Sequence, residues 1–96
     1  MRSRYFAYTK ANMGYIQATM APPASNGFSP DTTKVWALEV KWLGLDILEV
    51  SGGQPGDSEG MVHFQAHYRE NKTQQAIDER SLFRYIDGRW FYVDAL

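Results

Sequence analysis

The sequence predicts an α+β fold in which helices come first and an antiparallel sheet follows. In the first forty residues, apolar side chains recur at helical spacing. From about residue 42 onward, polar and apolar side chains alternate instead, as they do along strands. The dipeptide Asp87-Gly88 between the last two alternating stretches is a strong signal for a two-residue hairpin. The length of 96 residues suits one domain, so we expect residues 1–96 to form a single unit.

Composition and charge narrow the classes of function. Ten basic residues face eleven acidic ones, giving a net charge of -1, and no basic excess for nucleic acid is visible. The chain has no cysteine, which excludes disulfides, thiolate nucleophiles and cysteine zinc sites within these residues. No apolar run approaches the roughly 20 residues that span a bilayer. We therefore expect no nucleic-acid or membrane partner, no cofactor and a cytoplasmic location.

Three helices are predicted in the first part of the chain. Residues 1–20 read as two short helices with a break near Asn12, which is a candidate cap for the second helix. Residues 21–28 contain two prolines and a glycine and form a loop. Ser29-Pro30 has the pattern of an N-cap followed by proline, so a third helix is predicted from there to about Val40. We expect its buried side to carry Val35, Trp36 and Leu38.

Four strands are predicted after the helices. The first begins at Trp42 and places Leu43, Leu45 and Ile47 on the face opposite Trp42. A glycine-rich loop over 51–59 leads to the second strand, and the third covers residues 74–86. In the fourth, over 89–94, alternation puts Trp90 and Tyr92 on one face and Phe91 and Val93 on the other. Because both faces are apolar, we expect Phe91, Val93 and Leu82 to offer a sheet surface for a homodimer.

The third strand contains the main candidate site. Glu79 and Ser81 share a face with Phe83 and Tyr85, and a buried carboxylate is costly unless it is paired and hydrogen-bonded. Arg4 on the first helix is the expected partner of the Glu79 carboxylate, and Tyr5 or Tyr8 could add a hydroxyl to the pair. Two interpretations stay open at this point. In one, the pair only fixes how the helix docks, and loss of Glu79 would destabilise the fold by about 3–5 kcal/mol. In the other, these residues form the polar floor of a pocket with Glu79 as an acid/base.

Other candidate positions are weaker. In the pocket interpretation, aromatic side chains would form the walls of the pocket, although such side chains more often fill the core of a small domain. The candidates for these walls are Trp36, Trp42, Trp90 and Tyr92. His63 and His67 lie on one strand, where residues four apart are about 13 Å apart, too far for two ligands of one metal. We therefore expect a solvated polar face there and no metal site.

Five motifs, in order along nearly the whole chain, resemble the central domain of YchJ-like proteins. They are RSRYFAY (2–8), WLGL (42–45), the GxVxFxAxY pattern (60–68), ERSLF (79–83) and DGRWFYVD (87–94). The family often carries flanking cysteine-rich SEC-C motifs, which this sequence lacks. It also often has histidine before the ERS motif, where this chain has Asp78, and Trp-His-Pro where this chain has Met20-Ala21-Pro22.

The resemblance implies a nuclear transport factor 2-like (cystatin-like) fold. In that fold, about three N-terminal helices pack on a curved four-stranded antiparallel sheet and form a cone. It implies no established activity. Because no catalytic constellation is visible, the first hypothesis is a non-catalytic interaction or accessory module, and the chain is not expected to be an enzyme. The alternative is a small-molecule-binding or enzymatic cone pocket with Glu79 as the acid/base.

Overall fold

The computed structural model describes residues 1–96 and contains three helices followed by four strands, which confirms the predicted α+β class. No helix is long and apolar enough to cross a membrane. The bounds of the elements are α1 Arg2–Thr9, α2 Met13–Ala18, α3 Pro30–Glu39, β1 Lys41–Gly52, β2 Glu59–Glu70, β3 Thr73–Ile86 and β4 Arg89–Ala95.

The two predicted helix caps are present. The side chain of Asn12 accepts a hydrogen bond from the backbone amide of Tyr15 at 3.1 Å, which caps α2. Ser29 accepts one from the amide of Thr32 at 3.4 Å, and Pro30 begins α3. Both caps occupy free amides that the first turn of a helix leaves without partners.

The predicted buried side of α3 is only partly right. Trp36 is half-buried, but Val35 and Leu38 are 57% and 65% exposed, and the buried residue of the helix is Ala37. The residue that α3 buries is small, and its backbone carbonyl accepts a hydrogen bond from Trp42 Nε1 at 3.2 Å. The helix also contacts β1 through the ring of Trp36, which meets that of Trp42. Val35 and Leu38 lie on the exposed side of the helix.

The four strands form one antiparallel sheet in the order β1-β2-β3-β4. Each strand pairs with its neighbour in sequence through a short connection. Asp87 and Gly88 between β3 and β4 both have positive φ, 48° and 84°, as a two-residue hairpin of type I′ requires. The hairpin predicted from these two residues is therefore confirmed.

Bulges change which side chains share a face. In β1 the register shifts between Trp42 and Gly44, so Trp42 and Leu45 lie on the same side of the sheet rather than on opposite sides as predicted. In β4 the register shifts so that Leu82 pairs with Asp94 while Phe83 pairs with Tyr92. The residue left over is Val93, which is only 1% exposed. It fills the core and is not part of an outward sheet surface, contrary to the prediction.

Strand β4 does not end the sheet as a free edge. The segment that follows α2 runs alongside it, with a parallel bridge between Met20 and Tyr92. The amide of Tyr92 donates to the carbonyl of Thr19 at 2.9 Å, and the amide of Ala21 donates to the carbonyl of Tyr92 at 3.0 Å. The free edge of the sheet is therefore on β1.

Candidate functional site

A cavity of about 410 Å³ lies between the helices and the sheet. Helices α1 and α3 form one side of it, and all four strands contribute to the other. Most of its lining is apolar or aromatic, and its polar members come from α1, α3, β3 and β4. The lining residues are Met1, Arg4, Tyr5, Tyr8, Thr32, Thr33, Trp36, Trp42, Leu45, Phe64, Ala66, Ile77, Glu79, Ser81 and Tyr92.

One wall of the cavity is a cluster of aromatic rings around Trp42. The ring of Trp42 meets that of Tyr5 edge to face with centroids 5.8 Å apart, and that of Trp36 in the same way at 5.3 Å. Tyr8 and Tyr68 complete the cluster at 6.1 and 5.9 Å. Edge-to-face contacts of this kind add to the stability that burial alone gives, so the rings hold one another in place.

The floor of the cavity is a polar cluster on β3 and β4. The hydroxyl of Ser81, which is fully buried, donates a hydrogen bond to Glu79 Oε2. The hydroxyl of Tyr92 donates to the same oxygen at 3.2 Å. No hydrogen bond within the protein reaches the other carboxylate oxygen, Oε1, and it is not sealed from open space. The floor therefore presents one free acceptor to the cavity.

Arg4 is buried beside this floor, with 6% of its surface exposed. Its Nη1 donates to the carbonyl of Ile16 at 3.0 Å and also to the hydroxyl of Thr19. The guanidinium lies over the ring of Tyr92, 4.9 Å from its centroid. These contacts join α1 to the end of α2 and to β4, so Arg4 has a structural role whatever else it does.

The direct ion pair predicted between Arg4 and Glu79 is not present. The guanidinium is bonded to Ile16 and Thr19, and the carboxylate is bonded to the two hydroxyls of the floor. The ring of Tyr92 stands between them, in contact with the guanidinium on its face and with the carboxylate at its hydroxyl. The two charges influence each other only through space.

Burial perturbs the titration of the groups in the cavity. It raises the pKa of Tyr92, and the neighbouring Glu79 carboxylate raises it further. Burial also raises the pKa of Tyr8, and the guanidinium of Arg4 partly opposes this. The Arg4 pKa is lowered, chiefly by burial. The two tyrosine hydroxyls therefore remain protonated at neutral pH and act as hydrogen-bond donors.

The structure brings together all five residues predicted for the site, and three of the four predicted aromatic walls, Trp36, Trp42 and Tyr92. Trp90 is not among them. It lines a second hollow of about 370 Å³ between the two N-terminal helices and the hairpin of β1 and β2, with Arg4 at the boundary of both spaces. The cavity residues missed from the sequence are Met1, Thr32, Thr33, Leu45, Phe64, Ala66 and Ile77. For all of these except Met1, the only available signal was strand alternation or position on a helix.

The two histidines lie on the opposite face of the sheet, each beside its own aspartate. His63 Nε2 is 2.7 Å from Asp78 Oδ1, and His67 Nε2 is 2.9 Å from Asp46 Oδ2. Gln65 donates a further hydrogen bond to Asp78 at 2.8 Å. The bonds from Gln65 and His63 lower the pKa of the Asp78 carboxyl. This face therefore carries separate polar pairs rather than one cluster.

Helices packed on one face of a four-stranded antiparallel sheet, over an internal cavity, suit the NTF2-like class of domains. A family model described as the YchJ middle NTF2-like domain, YchJ_M-like, matches residues 1–95. The chain belongs to this family, as its motifs predicted.

Relatives and solved structures agree with this assignment. The chain is 43% identical over 94 residues to a UPF0225 protein of Geobacter sulfurreducens, covering 98% of the chain and 58% of that protein. It is 38% identical to one of Haemophilus influenzae, also covering 58% of that protein. The chain thus spans little more than half the length of these relatives. The solution structure of a SEC-C motif containing protein from Rhodopseudomonas palustris matches with a TM-score of 0.86 and 35% identity, over 100% of this chain and 73% of that one. A crystal structure of a SEC-C motif containing protein from Psychrobacter arcticus matches with a TM-score of 0.80 and 25% identity, over 98% of this chain and 56% of that one.

Proposed function

We propose that this domain binds a small molecule in the cavity between its helices and its sheet. The observation that carries the proposal is the cavity's volume of about 410 Å³ together with its lining. Ligand pockets have volumes of roughly 300–1,000 Å³, mostly apolar walls and a few convergent polar groups. The aromatic cluster around Trp42 and the free acceptor of Glu79 fit that description. In the cone that the family resemblance implies, this space is the interior.

The walls favour a flat apolar ligand body. Edge-to-face packing around Trp42 leaves the remaining ring surface of this cluster available to a ligand, since Tyr5, Trp36 and Trp42 are each only half-buried. A planar ring system would replace water along these surfaces. Burial of apolar area contributes about 25 cal/mol per Å², so such a body would supply most of the affinity.

The test fills the cavity with a tryptophan side chain and compares ligand binding in that variant with binding in a variant that has the same substitution outside the cavity. Ile77 lines the cavity, whereas its neighbour Ala76 is exposed on the opposite face. We expect a two-ring aromatic compound such as 2-methylnaphthalene to shift the NMR signals of Trp36 and Trp42 in the wild type and in Ala76→Trp. In Ile77→Trp the shifts should be lost. Equal shifts in the two variants, or no shift of the two tryptophans in the wild type, would refute the proposal.

A second candidate function is a non-catalytic interaction module. It is favoured by large apolar side chains that are exposed, among them Val35 and Leu38 on α3 and Leu48 and Val50 on β1. Under this proposal, Leu38→Glu weakens self-association measured by sedimentation and leaves the fold intact. A wild type that stays monomeric at high concentration would remove the homodimer from this candidate.

A further inference from the structure

Arg4 has hydrogen-bonding capacity that the protein does not use. Its side chain is buried, with 6% exposure, yet only Nη1 completes hydrogen bonds with protein atoms. The remaining nitrogens, Nε and Nη2, complete no well-aligned hydrogen bond, although the hydroxyl of Tyr8 lies close enough to interact with the guanidinium, and neither nitrogen is sealed from open space. No carboxylate is in contact with the guanidinium. A buried cation normally has a charged or hydrogen-bonded partner at each face, because leaving donors unpaired costs free energy.

Glu79 shows the complementary condition on the other side of Tyr92. Both protein donors, from Ser81 and Tyr92, use the single oxygen Oε2. The oxygen Oε1 is left open at the floor of the same cavity. The floor therefore offers a ligand both free donors, on a cation, and a free acceptor, on an anion.

We infer that the ligand carries a neutral group with an acceptor and a donor side by side, such as a carboxamide or a lactam, on its flat apolar body. Its oxygen would accept from Arg4 and its N–H would donate to Glu79 Oε1. This inference rests on the proposed function, because it assigns the polar end of the same ligand. A single ring separates the two protein groups, with Arg4 over the face of Tyr92 and Glu79 at its hydroxyl.

The charges of the floor disfavour the ionised alternatives. A carboxylate would be attracted by Arg4 but repelled by Glu79, and an ammonium group would be attracted by Glu79 but repelled by Arg4. A ligand without polar groups could still bind through its apolar body, but it would leave both sets of positions unpaired and would therefore bind more weakly. Of these polar ends, the neutral group that both accepts and donates is the one that satisfies the two sides together.

The experiment uses four compounds with one body and different polar ends. They are naphthalene-2-carboxamide, 2-naphthoate, protonated 2-naphthylmethylamine and 2-methylnaphthalene, with Kd measured by NMR titration at neutral pH. We expect the carboxamide to bind at least ten times more tightly than each of the other three. If the four compounds bind equally, or an ionised one binds best, the inference is wrong while the proposed binding function stands. If none of the four binds, both are wrong.

A charge-removing variant gives a second readout that does not depend on absolute affinity. In Glu79→Gln the repulsion of 2-naphthoate is removed, while the attraction of Arg4 remains. The affinity ratio of 2-naphthoate to the carboxamide should rise at least tenfold. The matched control is Asp78→Asn, one residue away on the opposite face, where the ratio should not change. An unchanged ratio in Glu79→Gln would overturn the inference.

Discussion

Among single residues, Glu79 connects the stability of the fold to the properties of the cavity. Its carboxylate is the acceptor for a hydroxyl that is fully buried, Ser81, and for the half-buried hydroxyl of Tyr92. A buried hydroxyl without an acceptor is costly, whereas one paired with a carboxylate forms a strong, charge-assisted bond. Glu79 is therefore needed by its neighbours even though it forms no direct bond with Arg4.

Replacing Glu79 tests this role. We expect Glu79→Ala to lower the free energy of unfolding by about 1–3 kcal/mol, because two hydroxyls lose their acceptor. This is less than the 3–5 kcal/mol that a direct buried pair with Arg4 would imply. Glu79→Gln, which keeps an acceptor, should cost less than the alanine variant. Denaturant titration measures both, with the exposed Gln74→Ala as the control. A loss in Glu79→Ala no larger than in the control would contradict the role.

The polar residues of the cavity floor, and Arg4 beside it, could be predicted from the sequence, but their contacts could not. Glu79 and Ser81 stood out because they are polar on an apolar strand face, and Arg4 because it was the obvious cation on the covering helix. Periodicity gives the face of a residue, not the rotamer of a long side chain. Arg4 instead reaches the carbonyl of Ile16, twelve residues along the chain. Nothing in the spacing of the sequence specified that partner.

At the level of elements, turns and caps were predictable and bulges were not. Asn12, Ser29 and the Asp87-Gly88 pair act through their own local chemistry, so their types identify their roles. A bulge has no comparable signature. The extra residue in β4 reverses the alternation that an ideal strand would have, and this is why Val93 was placed on the wrong face.

The glycines that end the hairpin of β1 and β2 provide a test at this scale. Gly52 and Gly53 have nearly equal positive φ, 70° and 76°, so alanine carries the same backbone strain at either position. A Cβ at Gly52 would lie 2.7 Å from the carbonyl oxygen of Glu59, whereas one at Gly53 meets nothing within 4 Å. We expect Gly53→Ala to destabilise by about 1 kcal/mol and Gly52→Ala by clearly more.

Thermal unfolding of these two alanine variants isolates the effect of the close approach. The backbone strain is common to both variants, so the difference in their melting temperatures reports the clash with Glu59. Equal melting temperatures would show that the hairpin end relaxes freely.

For the whole molecule, the cavity is a property of packing that the sequence could not reveal. The same aromatic side chains could have filled the interior completely, as those of a small domain more often do. Whether they do so depends on where the helices lie relative to the sheet, and α3 joins β1 through the ring of Trp36 and the backbone carbonyl of Ala37. The resemblance to a family supplied the expected architecture, and the structure supplied the open space within it.

The hydrogen bonds between the segment after α2 and β4 should behave as one cooperative unit. We expect the amides of Ala21, Ala24 and Tyr92 to exchange with solvent at similar, slow rates, because their acceptors lie across the same junction. The amide of Gly53 at the hairpin end, bonded only to Glu59, should exchange much faster. Native-state hydrogen exchange measures all four. Fast exchange of Ala21 and Ala24 with slow exchange of Tyr92 would contradict the unit.

That junction also fixes an order of events when the chain is made. Residues 19–24 leave the ribosome well before their hydrogen-bonding partners Tyr92 and Val93 do. The segment must therefore wait, with its backbone groups bonded to water, until nearly the whole sheet has been synthesised. The cavity closes only then, because Tyr92 supplies part of its floor. Under the proposed function, a ligand would thus be recognised only by the finished domain and not by a nascent one.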